Sequence, residues 1–177
     1  DAFEVFIGPT LKGESGQFFT PRNVVRLMVE LCKIEVDSLV IDPAFGTGGF
    51  LTETLRKKWD LIDQNAINLG WDDESINEEK THTAVKTIFG IEKDDFLAKV
   101  AKVYMALQKD GKGSIYCDDS LEKYSNFNSK TKNEIMPNKF DIVLANPPFG
   151  KDIKVTGEEK LSQYKLASGL NGKMKKD

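Results

Sequence analysis

Leu39-Val40-Ile41-Asp42-Pro43-Ala44-Phe45-Gly46-Thr47-Gly48-Gly49-Phe50 leads an apolar run through a glycine-rich turn into a helix-like pattern. The three apolar residues stop at Asp42-Pro43, as a buried strand does when proline removes the next ladder donor. Phe50, Leu51, Thr54 and Leu55 then recur at helical spacing. Glycines allow such a turn to pass tightly beneath a ligand, and the helix amino terminus offers unpaired N–H groups to an anion. A dinucleotide fingerprint needs a third glycine where Leu51 stands, and no Gly-Lys-Ser/Thr follows for a phosphate loop. The better fit is a nucleoside ligand that carries a carboxylate.

The same alternation extends on both sides. Upstream, Thr20-Pro21 opens a helix, with Thr as N-cap and Pro at the first helical position. Val24, Leu27, Met28 and Leu31 form the stripe this helix is expected to bury. Residues 1–15 read as a short helix and connector. Downstream, the stretch 60–86 is polar, acidic and longer than an ordinary helix–strand connection, so it is expected to hold a helix or an ordered insertion. Residues 88–92 read as a second strand. Residues 95–108 carry Phe96, Val100, Val103, Tyr104 and Leu107 at helical spacing, and 114–117 form a third strand. Residues 122–138 are Asn-rich and loop-like, 140–145 form a fourth strand, and 151–177 are irregular. Strands alternating with helices predict a doubly wound parallel α/β sheet.

Just past the fourth strand stands Asn146-Pro147-Pro148-Phe149. Two prolines stiffen this turn and leave carbonyls free to accept. An asparagine carbonyl, a rigid backbone carbonyl and an aromatic plane together suit a flat group bearing an exocyclic amine, such as adenine. Asp42, Glu92, Asp119 and Asn146 all stand at strand ends, where open parallel sheets bind ligands at the reversal of strand order. A strand order of 3-2-1-4 sets the glycine-rich turn and the Asn-Pro-Pro-Phe turn across one crevice. Glu92 is placed to accept from ribose hydroxyls and Asp119 from a ligand amine, although the adjacent Asp118 is an equal candidate to point inward. A ligand beside a gripped amine describes a group-transfer site.

Bulk composition sets outer limits. The 177 residues carry 40% hydrophobic and 30% charged residues, ordinary values for a soluble domain with a real core. A net charge of −3 argues against a strong sequence-independent grip on nucleic acid by this segment alone. Cys32 and Cys117 make no disulfide framework, and with His82 as the one histidine no His/Cys metal site is expected. No signal peptide or membrane span is visible, which points to the cytoplasm. The first residue is not Met, so a fragment is expected.

The set Gln17-Phe18-Phe19-Thr20-Pro21-Arg22, Asp42 to Phe50, Ile91-Glu92-Lys93-Asp94 and Asn146-Pro147-Pro148-Phe149 resembles that of N6-adenine DNA methyltransferases. Within them it is most similar to the modification subunit of type I restriction–modification systems. The resemblance covers residues 16–150 and implies a Rossmann-like, S-adenosylmethionine-dependent methyltransferase fold. It implies that Gln17, Phe18, Phe19, Thr20, Pro21 and Arg22 line the methionine end of S-adenosylmethionine, with Asp42, Phe45, Thr47, Gly48 and Gly49 in the loop. Glu92 would hold the ribose and Asp119 the cofactor adenine. Asn146, Pro147, Pro148 and Phe149 would grip a target adenine flipped out of double-stranded DNA. Thr20 retains a structural reading as a helix cap beside this one. The implied partners are a specificity subunit, a second modification subunit and a restriction subunit.

The family's sheet continues beyond a fourth strand, so the domain is expected to be truncated there, with that strand as an exposed edge. Two other functions remain open on sequence. A protein-glutamine N5-methyltransferase grips a planar amide with a similar turn, usually ending in Tyr where this chain has Phe149. A non-catalytic cofactor-binding or assembly module is the other.

Overall fold

The computed structural model describes residues 20–107, 114–148, 155 and 157–165. The expected helix at 1–15, Gln17, Phe18, Phe19 and Phe149 lie outside the described residues. Two compact units result: a larger one of residues 19–120 and 127–147, and a smaller one that includes residues 121–126 and 157–165.

The larger unit begins with α1 (Arg22–Leu31) and β1 (Val40–Asp42). Next come α2 (Gly49–Leu69), α3 (Asp73–Thr87) and β2 (Ile88–Glu92). α4 (Asp95–Leu107), β3 (Ser114–Cys117), α5 (Ser129–Glu134) and β4 (Ile142–Val143) complete it. The sheet order is β3-β2-β1-β4 and every pairing is parallel, as the alternation predicts. All strands therefore end on one edge, and order reverses between β1 and β4. β4 is one of the two edge strands of the described sheet and is short, and Val143 on it is 62% exposed.

Two crossovers cover one face of the sheet and the third covers the other. Leu51 and Leu55 of α2, Ala84 of α3, and Ala98, Ala101 and Met105 of α4 pack with Ile88 and Ile115. Val25 and Val29 of α1 join Val40, Phe50 and Leu144 on that same face. The opposite face buries Ile41, Phe89 and Ile91 against Ile135, just after α5. Each such buried aliphatic side chain contributes on the order of 1.5–3 kcal/mol.

The stretch 60–86 is helical, one of the two readings its length suggested, and forms an αα-hairpin. α2 runs on to Leu69 and is stopped by Gly70, whose φ of 68° is the left-handed C-cap geometry that favours glycine. Asp72 then caps α3 by accepting from Ser75 N–H at 2.9 Å. Trp59 Nε1 donates to Lys80 O, and Lys80 pairs with Asp63, so the two helices are tied along their length.

Three local expectations are corrected. Thr20 does not cap α1: Pro21, with extended ψ of 137°, is the N-cap, no side chain caps the helix, and the Pro21 carbonyl accepts from Val24 and Val25 N–H. The buried face of α1 is Val25 and Val29, whereas Leu27 and Leu31 are exposed. Ion pairing of Arg26 and Glu30 with Glu53, Arg56 and Lys57 of α2 turns the helix that way. Residues 122–138 are not all loop: Asn128 caps α5 by accepting from Thr131 N–H.

Lys58 of α2 is fully buried. Its ammonium donates to Val36 O, Ser38 O and Thr87 Oγ1 at 2.8, 2.7 and 2.9 Å, pinning the entry to β1 against the end of α3. In the smaller unit, α6 (Glu158–Leu161) and the 3₁₀ turn Tyr124–Asn126 are bridged by Lys123–Glu159 and Lys160–Glu122 ion pairs. Among the described residues no helix is long and apolar enough to cross a membrane.

Candidate functional site

The carboxyl edge of the sheet gathers the polar residues. After β1 the chain turns through Gly46 and Gly48, with φ of 55° and 83°, conformations that side chains with a Cβ rarely adopt. Gly48 is the N-cap of α2 and donates its N–H to Phe45 O at 2.8 Å, while Gly49 is the first helical residue. Thr47 is half-buried between them. The Phe45 ring is not at the surface of this turn. It lies in the core, where a Cβ on Gly90 of β2 would meet its Cδ1 at 2.6 Å and Leu51 Cδ1 at 2.8 Å. Gly90 thus makes room for the ring, and the ring anchors the turn.

Two carboxylates set the electrostatics. Asp42 is 1% exposed and accepts from Ala44 N–H at 3.0 Å. Burial pushes its carboxyl up to about 7, the Ala44 hydrogen bond opposes this, and the nearby Glu92 charge adds to it. Glu92, at the end of β2, accepts from Gly46 N–H at 2.9 Å through Oε2 and from Asp94 N–H at 3.0 Å through Oε1. One side chain therefore fastens the β1 turn to the β2 end, and each oxygen keeps acceptor capacity for a further donor.

The two aspartates after β3 separate in role. Asp118 accepts from Asn128 N–H and Nδ2 and from Asp119 N–H, which holds the segment entering α5. Asp119 instead faces Lys93, with Nζ 3.0 Å from Oδ2.

Thr20 and Asn146 meet. Asn146, exposed just after β4, donates from Nδ2 to Thr20 Oγ1 at 2.9 Å. The larger unit thus brings the segment before α1, the β1 turn, the β2 and β3 ends and the start of the Asn-Pro-Pro turn to one edge. Pro21 is exposed and Arg22 half-buried at the start of α1; Pro147 and Pro148 are exposed. Sequence reasoning missed the Lys93–Asp119 pair, the Glu92–Gly46 tie and the Thr20–Asn146 contact. Each joins residues distant in sequence, and only the strand order, itself predicted, could have suggested them.

This edge offers N–H donors at a helix start, carboxylates at successive strand ends and the amide of Asn146. It can hold an elongated polar ligand beside an amine. A family model described as N-6 DNA Methylase matches residues 1–177. The type I restriction enzyme MjaIX methylase subunit of Methanocaldococcus jannaschii is 29% identical over 83% of this chain and 22% of its own length. The MjaVII methylase subunit of the same organism is 32% identical over 80% of this chain and 20% of its own. A crystal structure described as that of a modification subunit of a type I restriction enzyme from Vibrio vulnificus YJ016 superposes with a TM-score of 0.65. It is 25% identical and covers 94% of this chain and 30% of that one. The chain thus spans less than a third of the length of each of these proteins.

Proposed function

Because the chain belongs to the N-6 DNA methylase family, we propose that it carries the cofactor-binding and base-gripping part of an adenine-specific DNA methyltransferase. The protein would be the modification subunit of a type I restriction–modification system, transferring a methyl group from S-adenosylmethionine to the N6 amine of adenine. The observation that supports this reading is the Asn146–Thr20 contact, which joins the start of the Asn-Pro-Pro turn to the segment that opens α1.

The residues present suit that cofactor. Left-handed Gly46 and Gly48 leave two positions of the turn without side chains, and Asp42 and Glu92 at the strand ends would offer acceptors to an ammonium and a ribose. Gln17, Phe18, Phe19, Thr20, Pro21 and Arg22 would line the methionine end, with Thr47, Gly48 and Gly49 contacting it from the loop. Phe45 would act through its backbone and by anchoring the loop. Glu92 would take the ribose hydroxyls, and Asp119 the adenine amine of the cofactor in place of Lys93.

S-adenosylmethionine would supply an electrophilic methyl: the N–C bond forms as the C–S bond breaks, its electron pair stays on sulfur, and N6 releases a proton to water. An adenine amine is a weak nucleophile because its lone pair is delocalised into the ring. Asn146 Oδ1 and the Pro147 carbonyl, by accepting from both N–H groups, return density to nitrogen as it pyramidalises. The prolines hold those acceptors in place before the base arrives, so positioning does much of the work. Phe149 would stack on the base, which must leave the duplex to be reached. The proposed partners are DNA, a specificity subunit, a second modification subunit and a restriction subunit, in the cytoplasm. Family membership does not favour the protein-glutamine alternative.

Asn146→Ala tests the assignment in the complete methyltransferase. Methyl transfer should fall by about a hundredfold or more, while S-adenosylmethionine affinity by calorimetric titration stays within about threefold. Loss of cofactor binding in this variant would contradict the division of roles.

A further inference from the structure

We propose that Thr20 is a positioning residue for Asn146: its hydroxyl oxygen takes the Nδ2–H of the amide and so turns Oδ1 toward the substrate amine. The inference rests on the reading of Asn146 as the acceptor for that amine. An asparagine side chain is chemically two-faced, with an acceptor and a donor of nearly equal size. Flipped, it would present N–H groups to an amine that is itself a donor, and both the acceptor and its pull on the nitrogen would be lost. Nothing in the covalent structure of asparagine selects the productive face. A fixed acceptor for Nδ2 does, and Thr20 Oγ1 lies 2.9 Å from it.

The hydroxyl is not otherwise accounted for by helix capping. α1 starts at Arg22 with Pro21 as N-cap and no side-chain cap, and the N–H groups of Val24 and Val25 bond the Pro21 carbonyl. Both ends of the contact stand on anchored backbone. Val25 and Val29 bury α1 in the core, and Leu144 N–H donates to Ile41 O at 3.0 Å two residues before Asn146. Threonine is β-branched, so its χ1 is stiff and the oxygen stays where α1 puts it. The contact closes 126 residues of chain and couples the cofactor-side segment directly to the base-gripping turn.

The test uses the complete methyltransferase with Thr20→Val, which keeps the shape and removes the oxygen, and Thr20→Ser, which restores it. Single-turnover methyl transfer at saturating cofactor should drop about tenfold or more in the Val variant, and recover to within about threefold of wild type in the Ser variant. Cofactor is kept saturating for each variant, as its own titration sets it, so the place of Thr20 at the methionine end does not enter this rate. In ¹⁵N-edited spectra, an Asn146 Nδ2 proton should move upfield in the Val variant and not in the Ser variant. An Asn146 side-chain signal unmoved by Thr20→Val overturns the contact, and a Val variant that transfers at the wild-type rate at saturating cofactor overturns the positioning role. If the wild type transfers no methyl group to adenine in DNA, the proposed function fails. The Asn146 spectrum then still decides whether Thr20 fixes the amide.

Discussion

Asp42 is the residue whose chemistry depends most on being folded. Its carboxyl stands at about 7 instead of 3.8, chiefly because it is buried. The raised value means the fold binds a proton that the unfolded chain has released. That contribution to stability is complete below pH 3.8 and is lost as pH rises through about 7. Cofactor recognition should run the other way, since a cationic ammonium prefers the ionised carboxylate. S-adenosylmethionine affinity should therefore increase from about pH 6 to about pH 7.5, with a flatter profile in Asp42→Asn. Calorimetry in buffers of different ionisation heat should show proton release on binding in the wild type. A wild-type profile no steeper than that of the variant removes Asp42 from cofactor recognition. That Asp42, Glu92, Asp119 and Asn146 gather at one edge of the sheet was legible from sequence, from their places at strand ends. How they are wired was not. Phe45 looked like a ligand contact and is a core ring, while the hydroxyl of Thr20 looked like a cap and bonds Asn146. A side chain's partner is set by tertiary geometry, which a local pattern does not contain.

Strands and turns were easier to read than helix faces. Glycine, proline and short β-branched runs mark strand ends locally, so β1, β2 and β3 fall within a residue of expectation. The helix stripes were read less well. In α1 and α4 Leu27, Leu31, Phe96 and Val103 are exposed, while Val25, Val29, Leu97, Ala98, Ala101 and Met105 are buried. Bulk alone does not pick the buried face, because contact with the β1 turn also asks for small residues. Ala101 Cβ sits 3.8 Å from the place a Cβ on Gly48 would occupy, an ordinary contact distance, so helix and turn face each other through small residues. Gly90 obeys the same rule from within the sheet. Gly90→Ala forces its new methyl against Phe45 and should cost roughly 1–3 kcal/mol by chemical denaturation. Because Phe45 anchors the β1 turn, cofactor affinity should fall as well. An alanine variant as stable and as tight-binding as wild type would show that the ring can move without disturbing the loop.

At the scale of the whole molecule, the sheet has a chemical edge and a structural edge, and the two are stabilised differently. The carboxyl edge holds polar groups ready for a ligand. The opposite edge is fastened by Lys58, whose ammonium serves three acceptors from two segments, the entry to β1 and the end of α3. Burial pulls its pKa down to about 8 from 10.5, with Asp37 and Asp141 opposing. Between those values the unfolded chain binds more protons than the fold, so stability should rise with pH across that window. Lys58→Met removes this rise and strands the Val36 and Ser38 carbonyls, at a cost of roughly 3 kcal/mol. Urea titrations of both proteins at about pH 7.5 and pH 10 would read the difference, and equal slopes against pH would refute it. The position of this amine also makes it a clock. Exposed lysines such as Lys93 react at once with an acylating reagent, whereas Lys58, fully buried, is modified only when the sheet comes apart. With reagent concentrated enough that acylation outpaces reclosing, the rate at which the Lys58 peptide gains an acyl group is therefore the rate at which this molecule opens.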